Sequence, residues 1–183
     1  IERMGERPLA VTNIGRSMYI LLMIPASALS TTAGTLVSNM IGSGLKEEVM
    51  STVNKIIRIA ILFVAPLIIF TFIFPELFAH IYTDDDSLIL ASVPVIRVVS
   101  IAVIFYAVAN VVVNAVSGTG SAKTAFYIEM VTLIFYISYV YFTAILYPQS
   151  VAIVWFSEFI YWSFIGGLGY WFLQKGKWHE NRI

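Results

Sequence analysis

Apolar residues fall into five long runs, about Leu9 to Gly42, Val53 to Tyr82, Leu88 to Gly118, Thr124 to Tyr147 and Val151 to Leu173, joined by short polar segments. Each run reaches the roughly 20 residues that cross a hydrocarbon core. None keeps the strict alternation of a barrel strand, and in lipid each helix satisfies its own backbone N–H and C=O groups. The pattern predicts an all-α fold: a polytopic bundle of five transmembrane helices filling one unit over 1–183, with residues 174–183 as a tail.

Composition sharpens this. With 59% hydrophobic and 12% charged residues and a mean hydropathy of +0.85, the chain lacks the polar residues to cover an apolar core in water. The bilayer is its expected solvent. Zero net charge offers no basic surface for nucleic acid, and the absence of cysteine removes disulfides, thiolate metal sites and thiol nucleophiles. No H-E-x-x-H, G-x-S-x-G or intramembrane aspartate pair is present, so an enzyme is not expected. The Gly42-Ser43-Gly44 and Gly118-Thr119-Gly120 turns follow helices rather than strands and read as helix terminators, not phosphate loops.

The joints sort by charge. Lys46, Lys55 and Arg58 flank the first joint, Lys123 lies in the third, and Lys175, Lys177 and Arg182 follow the last run; Asp84 to Asp86 and Pro148-Gln149 occupy the alternate joints without a base. Because cationic flanks stay on the cytoplasmic side, the C-terminus is expected in the cytoplasm and Ile1 to Pro8 outside, with Arg3 and Arg7 fitting less well. The chain opens without an initiator Met on a polar stub that resembles an inter-helix loop, which predicts a fragment with at least one further helix upstream. His80 and His179 have no metal-ligand partner at useful spacing, and the Asp84 to Asp86 triplet reads as a solvated turn.

Polar groups inside the runs carry the remaining information, since each costs free energy unless it faces protein or water. Ser27, Thr31, Thr35, Ser38 and Gly42 recur at helical spacing on one face of the first run, below Pro25. That face fits either a small-residue packing seam or a substrate-lining surface. Tyr106, Asn110 and Asn114 form a second stripe at i, i+4, i+8 on the third run, with Arg97 on the opposite azimuth. Glu158 on the fifth run lies at about the depth of Arg97, which suits a buried Arg97–Glu158 pair, with ion coupling by Glu158 as the sharper alternative. Tyr19, Trp155, Tyr161, Trp162, Tyr170, Trp171 and Trp178 read mostly as interfacial belt residues.

Asn13-Ile14, Ile24-Pro25 and Val37-Ser38-Asn39-Met40-Ile41-Gly42-Ser43-Gly44, followed by Tyr82-Thr83 with its acidic loop and Gly118-Thr119-Gly120-Ser121-Ala122-Lys123-Thr124, form a pattern that resembles the multidrug and toxic compound extrusion (MATE) family. The resemblance spans essentially the whole chain. It implies that the five helices are similar to helices eight to twelve of a twelve-helix transporter whose two lobes face a central cavity, the N-terminal lobe and helix seven being absent. It further implies a secondary active efflux transporter in the inner or plasma membrane, exchanging Na+ or H+ for small organic cations by alternating access, with no other cofactor. Tyr106 stands where one branch of the family has a coupling aspartate, which leaves the ion open. On this reading Thr31, Thr35, Tyr106, Asn110 and Asn114 face the cavity and Pro25 is a hinge. The alternatives are a related flippase of lipid-linked precursors, which calls for a more basic cavity, and a structural bundle without transport.

Overall fold

The computed structural model describes residues 5–176 and 178; Arg3, Lys177, His179 and Arg182, with the rest of 1–4 and 179–183, lie outside the described residues. The chain folds as a helix bundle. Helix α1 (Glu6–Gly42) is followed by a single 3-10 turn (Lys46–Glu48) and α2 (Val49–Ile73). A short α3 (Pro75–Ala79) leads to α4 (Asp86–Gly118), then α5 (Ala122–Tyr141), which closes with a π turn at Phe142–Leu146. Helices α6 (Val151–Trp155) and α7 (Ser157–Lys175) form the last crossing. Among the described residues five segments are long and apolar enough to cross a membrane: Glu6–Gly42, Lys46–Ile73, Asp86–Gly118, Ala122–Leu146 and Val151–Lys175.

The second apolar run does not remain one helix to Tyr82. Proline disfavours the α conformation of the residue before it, and Phe74, directly ahead of Pro75, sits at φ −117° and ψ 53°. Helix α2 therefore stops at Ile73, and α3 restarts with Pro75 in its first turn, where its missing N–H is no loss. Prolines deeper in the helices act differently. Pro25, Pro66 and Pro94 lie inside α1, α2 and α4, and each helix continues through them. The helix around Pro25 is unbroken.

Helix α4 is the centre of the bundle and packs against α1, α2, α3, α5, α6 and α7. Its buried residues, including Val95, Val99, Val103, Ala107, Val111 and Ala115, are small or β-branched. Such residues let neighbouring backbones approach closely in a medium that supplies no hydrophobic drive between helices. The seam with α1 is the tightest: a Cβ on Gly118 would fall on the Gly34 carbonyl oxygen, and one on Gly15 would fall on the Val95 side chain. On α1 the seam is Leu22, Ala26, Ser30, Ala33 and Val37, all buried. The outer surface carries Leu62 (73% exposed), Phe63, Ile69, Phe126, Ile134 and Ile137, an apolar coat that lipid rather than water would tolerate. The chain is a multi-pass membrane protein.

The two ends of the bundle differ. At one end the Arg7 side chain donates to the Ser87 carbonyl at 3.0 Å, and the α5–α6 joint lies nearby through Ser150 and Val151. There Asp85 caps α4, accepting from the backbone N–H groups of Ser87 at 2.8 Å and Leu88 at 3.4 Å. Hydrogen bonds from the Ser87 side chain and backbone hold the Asp85 carboxyl below the usual carboxylate range. The acidic triplet thus supplies a helix cap. At the other end Gly44 and Gly120, both at φ 78°, take the left-handed conformation that closes α1 and α4.

Candidate functional site

Polar side chains form one connected string through the bundle. Nearest the acidic end is Glu158, seven residues after the start of α6, about 10 Å along the axis. Its Oε2 accepts from the Tyr19 hydroxyl at 2.8 Å and from Trp162 Nε1 at 3.1 Å. The same indole N–H also donates to the Tyr19 oxygen. Tyr136 on α5 stands beside the carboxyl, lining the same pocket as Glu158. Trp162 then meets Tyr106 edge-on, with ring centroids 4.8 Å apart. From Tyr106 the string descends α4: Asn110 Nδ2 donates to the Tyr106 hydroxyl at 2.8 Å, and Asn114 Nδ2 donates to the Asn110 backbone carbonyl at 2.8 Å and to its Oδ1 at 3.1 Å.

The string ends in an open cleft of about 480 Å³ between α1 and α4, lined by Thr31, Gly34, Thr35, Asn39, Asn114 and Ser117 among others. Thr31 and Thr35 are exposed, and their hydroxyls fold back onto α1, to the Ala28 carbonyl at 2.9 Å and the Thr31 carbonyl at 3.3 Å. Back-bonding uses the hydroxyl hydrogen and leaves both lone pairs of each oxygen free to accept from a ligand or water. The Ser27–Thr31–Thr35 face is therefore separate from the Ala26–Ser30–Ala33 seam buried against α4. Tyr106 is buried, with Ser27 beside its hydroxyl, while Asn110 and Asn114 are half-buried.

The structure does not pair Arg97 with Glu158. Arg97 is exposed on the outer side of α4, its guanidinium carbon 5.8 Å from the Phe72 ring centroid, a cation–π contact with α2. Among the described residues the groups acting on Glu158 are aromatic donors, none of them cationic. Equal depth on two helices fixes height but not azimuth, and the azimuths here point apart. Glu129 is likewise engaged by an aromatic group, accepting from Tyr161 at 3.3 Å.

Tyr19 and Trp162 belong to the site, not to an interfacial belt. Two signals mark them in the sequence. Trp162 lies one turn after Glu158 on the same helical face. Tyr19 lies thirteen residues into α1, about 20 Å from its start, too deep for headgroup level. Trp178 is also no belt residue, since it is buried with Nε1 donating to the Leu173 carbonyl at 2.8 Å. Among the described residues no group of three or more His, Cys, Asp or Glu is placed to hold a metal ion.

The central helix of this membrane bundle thus carries a hydrogen-bonded polar string into an open cleft. The MatE family profile matches residues 1–142, and the chain belongs to that family. It is 27% identical over 129 residues to the "Probable multidrug resistance protein NorM" of Thermotoga maritima, a stretch covering 70% of this chain. The chain spans 28% of the length of that curated relative. No solved structure matches it.

Proposed function

We propose that this chain forms most of one lobe of a secondary active efflux transporter, which exchanges Na+ or H+ for amphipathic organic cations. The polar string from Glu158 through Tyr106, Asn110 and Asn114 into the Thr31–Thr35 cleft supports this reading. Hydroxyl and amide groups are costly in lipid unless partnered, and this string, hydrogen-bonded internally, reaches an open cleft where a hydrated or cationic solute can meet it. Aromatic faces and amide oxygens suit a cation with an apolar body. The family and the relative's name point the same way.

In this reading the cleft is half of a cavity whose opposite wall comes from the rest of the same protein. Alternating access is rocking of one lobe against the other. Helix α1 lacks a backbone donor at Pro25, which makes that point the candidate hinge. With the basic joints read as cytoplasmic, the C-terminus lies inside and the acidic end outside in this reading, and export runs from the cleft toward the Asp84–Asp86 end.

The test is uptake of a fluorescent organic cation into inside-out vesicles bearing the full-length protein, under imposed sodium or pH gradients. Gradient-dependent uptake that falls with Tyr106→Ala supports the reading. Folded protein that moves no cation under either gradient overturns it.

A further inference from the structure

We infer that Glu158 is a proton-binding carboxyl of this lobe, loaded through a pocket of its own rather than through the cleft. The inference rests on the transport reading and narrows its coupling ion at this site to H+.

Three observations carry it. First, the carboxyl lies within a membrane span, with donor side chains instead of a cation for company. Tyr19 from α1 and Trp162 from α7 both present hydrogens to Oε2, and Tyr136 approaches from α5. Among the described residues Glu158 belongs to no group of three or more His, Cys, Asp or Glu side chains that could hold a metal ion. A proton needs only one free oxygen position. Second, such a position has an entrance. A pocket of about 130 Å³ opens beside Glu158 between α5 and the α6–α7 segment, lined by Tyr136, Val140, Val154, Trp155, Ser157 and Glu158. Its walls carry the Tyr136 and Ser157 hydroxyls, which can accept from a protonated carboxyl or hand a proton on. Third, Trp155 lines the same pocket, and its buried Nε1 has no hydrogen-bond partner. The same ring stands edge-on to Tyr19, with centroids 5.8 Å apart, so the pocket wall also seats the phenol that donates to Glu158.

Among the described residues the titratable groups facing Glu158 are all phenols: Tyr19 on α1, Tyr136 on α5, and Tyr161 on α7, which also holds Glu129. Tyr106 on α4 lies behind Trp162. From α6 the neighbour is Trp155. With no basic side chain among them, gaining a proton changes the local charge from minus one to zero. The step is simple: a proton from water in the pocket joins the carboxylate, no other bond breaks, and the same proton leaves to water when the pocket opens to the other compartment. Tyr19 and Trp162 link the two charge states to Tyr106, so binding of an organic cation in the string favours the ionised form.

The experiment follows the carbonyl stretch of a protonated carboxyl by infrared difference spectroscopy on full-length protein in lipid across a pH titration. Export driven by a pH gradient is measured alongside. The expected result is a titrating band absent from Glu158→Gln, and loss of pH-driven export in that variant. Tyr136→Phe keeps the carboxyl but removes a pocket hydroxyl, and is expected to shift the midpoint of the band. A wild-type spectrum without a titrating band that Glu158→Gln removes overturns the inference and leaves export standing if uptake persists. A titrating band in protein that exports nothing overturns the transport reading and leaves the proton site. Should Glu158→Gln fail to fold, an unchanged midpoint in Tyr136→Phe counts against the pocket route.

Discussion

Substituting Gly118 with alanine should loosen the bundle at its tightest crossing, because the added Cβ would land on the backbone oxygen of Gly34. A flexible side chain could swing aside, but a carbonyl held in the α1 hydrogen-bond ladder cannot. The two helices must separate, and forcing an extra carbon into a packed contact costs about 1–3 kcal/mol. Gly34 also faces the Asn114 carbonyl, 3.0 Å from where its own Cβ would stand, so the separation opens the wall of the cleft as well. Gly167 provides the control: it is a glycine within α7 whose added Cβ would meet nothing within 4 Å. Gly167→Ala should leave stability unchanged or raise it by at most about 1 kcal/mol, the helix-propensity difference. Thermal unfolding of the full-length protein in one detergent, with both variants, measures the contrast. Equal melting temperatures for Gly118→Ala and Gly167→Ala would refute the close α1–α4 contact.

Arg97→Leu and Glu158→Gln should be additive in stability within about 0.5 kcal/mol, as expected for groups without shared partners; a larger coupling in the double-mutant cycle would restore a direct ion pair. Asn110→Ala removes two side-chain hydrogen bonds of the string. At about 1 kcal/mol each it should lower stability by about 2 kcal/mol and raise the KM for organic-cation uptake. Because the Asp85 carboxyl is held low in the folded chain, its contribution is present above the usual carboxylate range and is lost as pH falls through the lowered value. Asp85→Ala should accordingly reduce the melting temperature at neutral pH and flatten its decline toward acid, read from melts across a pH series.

The five crossings were legible because hydropathy over a span of this length needs no tertiary information. The end of α2 was also within reach, since Phe74-Pro75 is a boundary signal, but the apolar residues on both sides hid it. Side-chain partners were harder. Spacing on a single helix placed Tyr106, Asn110 and Asn114 on one stripe, and the structure brings these three together. Between helices the sequence lacks rotational information, so matching depths suggested Arg97 for Glu158 where Tyr19 and Trp162 stand. Aromatic residues gave the most ambiguous signal. The same rings that anchor helix ends at headgroups also donate hydrogen bonds to a buried carboxylate, and only depth along the helix separates the two uses.

The most direct test that this face lines a transport path is thiol accessibility in cysteine-free full-length protein in membranes. Single cysteines would be placed at Thr31, Thr35 and Asn114, with Leu62 on the apolar coat as the reference. A water-soluble maleimide should label the three cleft positions and not the reference, and an organic cation should protect them. Cleft positions as unreactive as Leu62, with or without the cation, would contradict a solute path along this lobe.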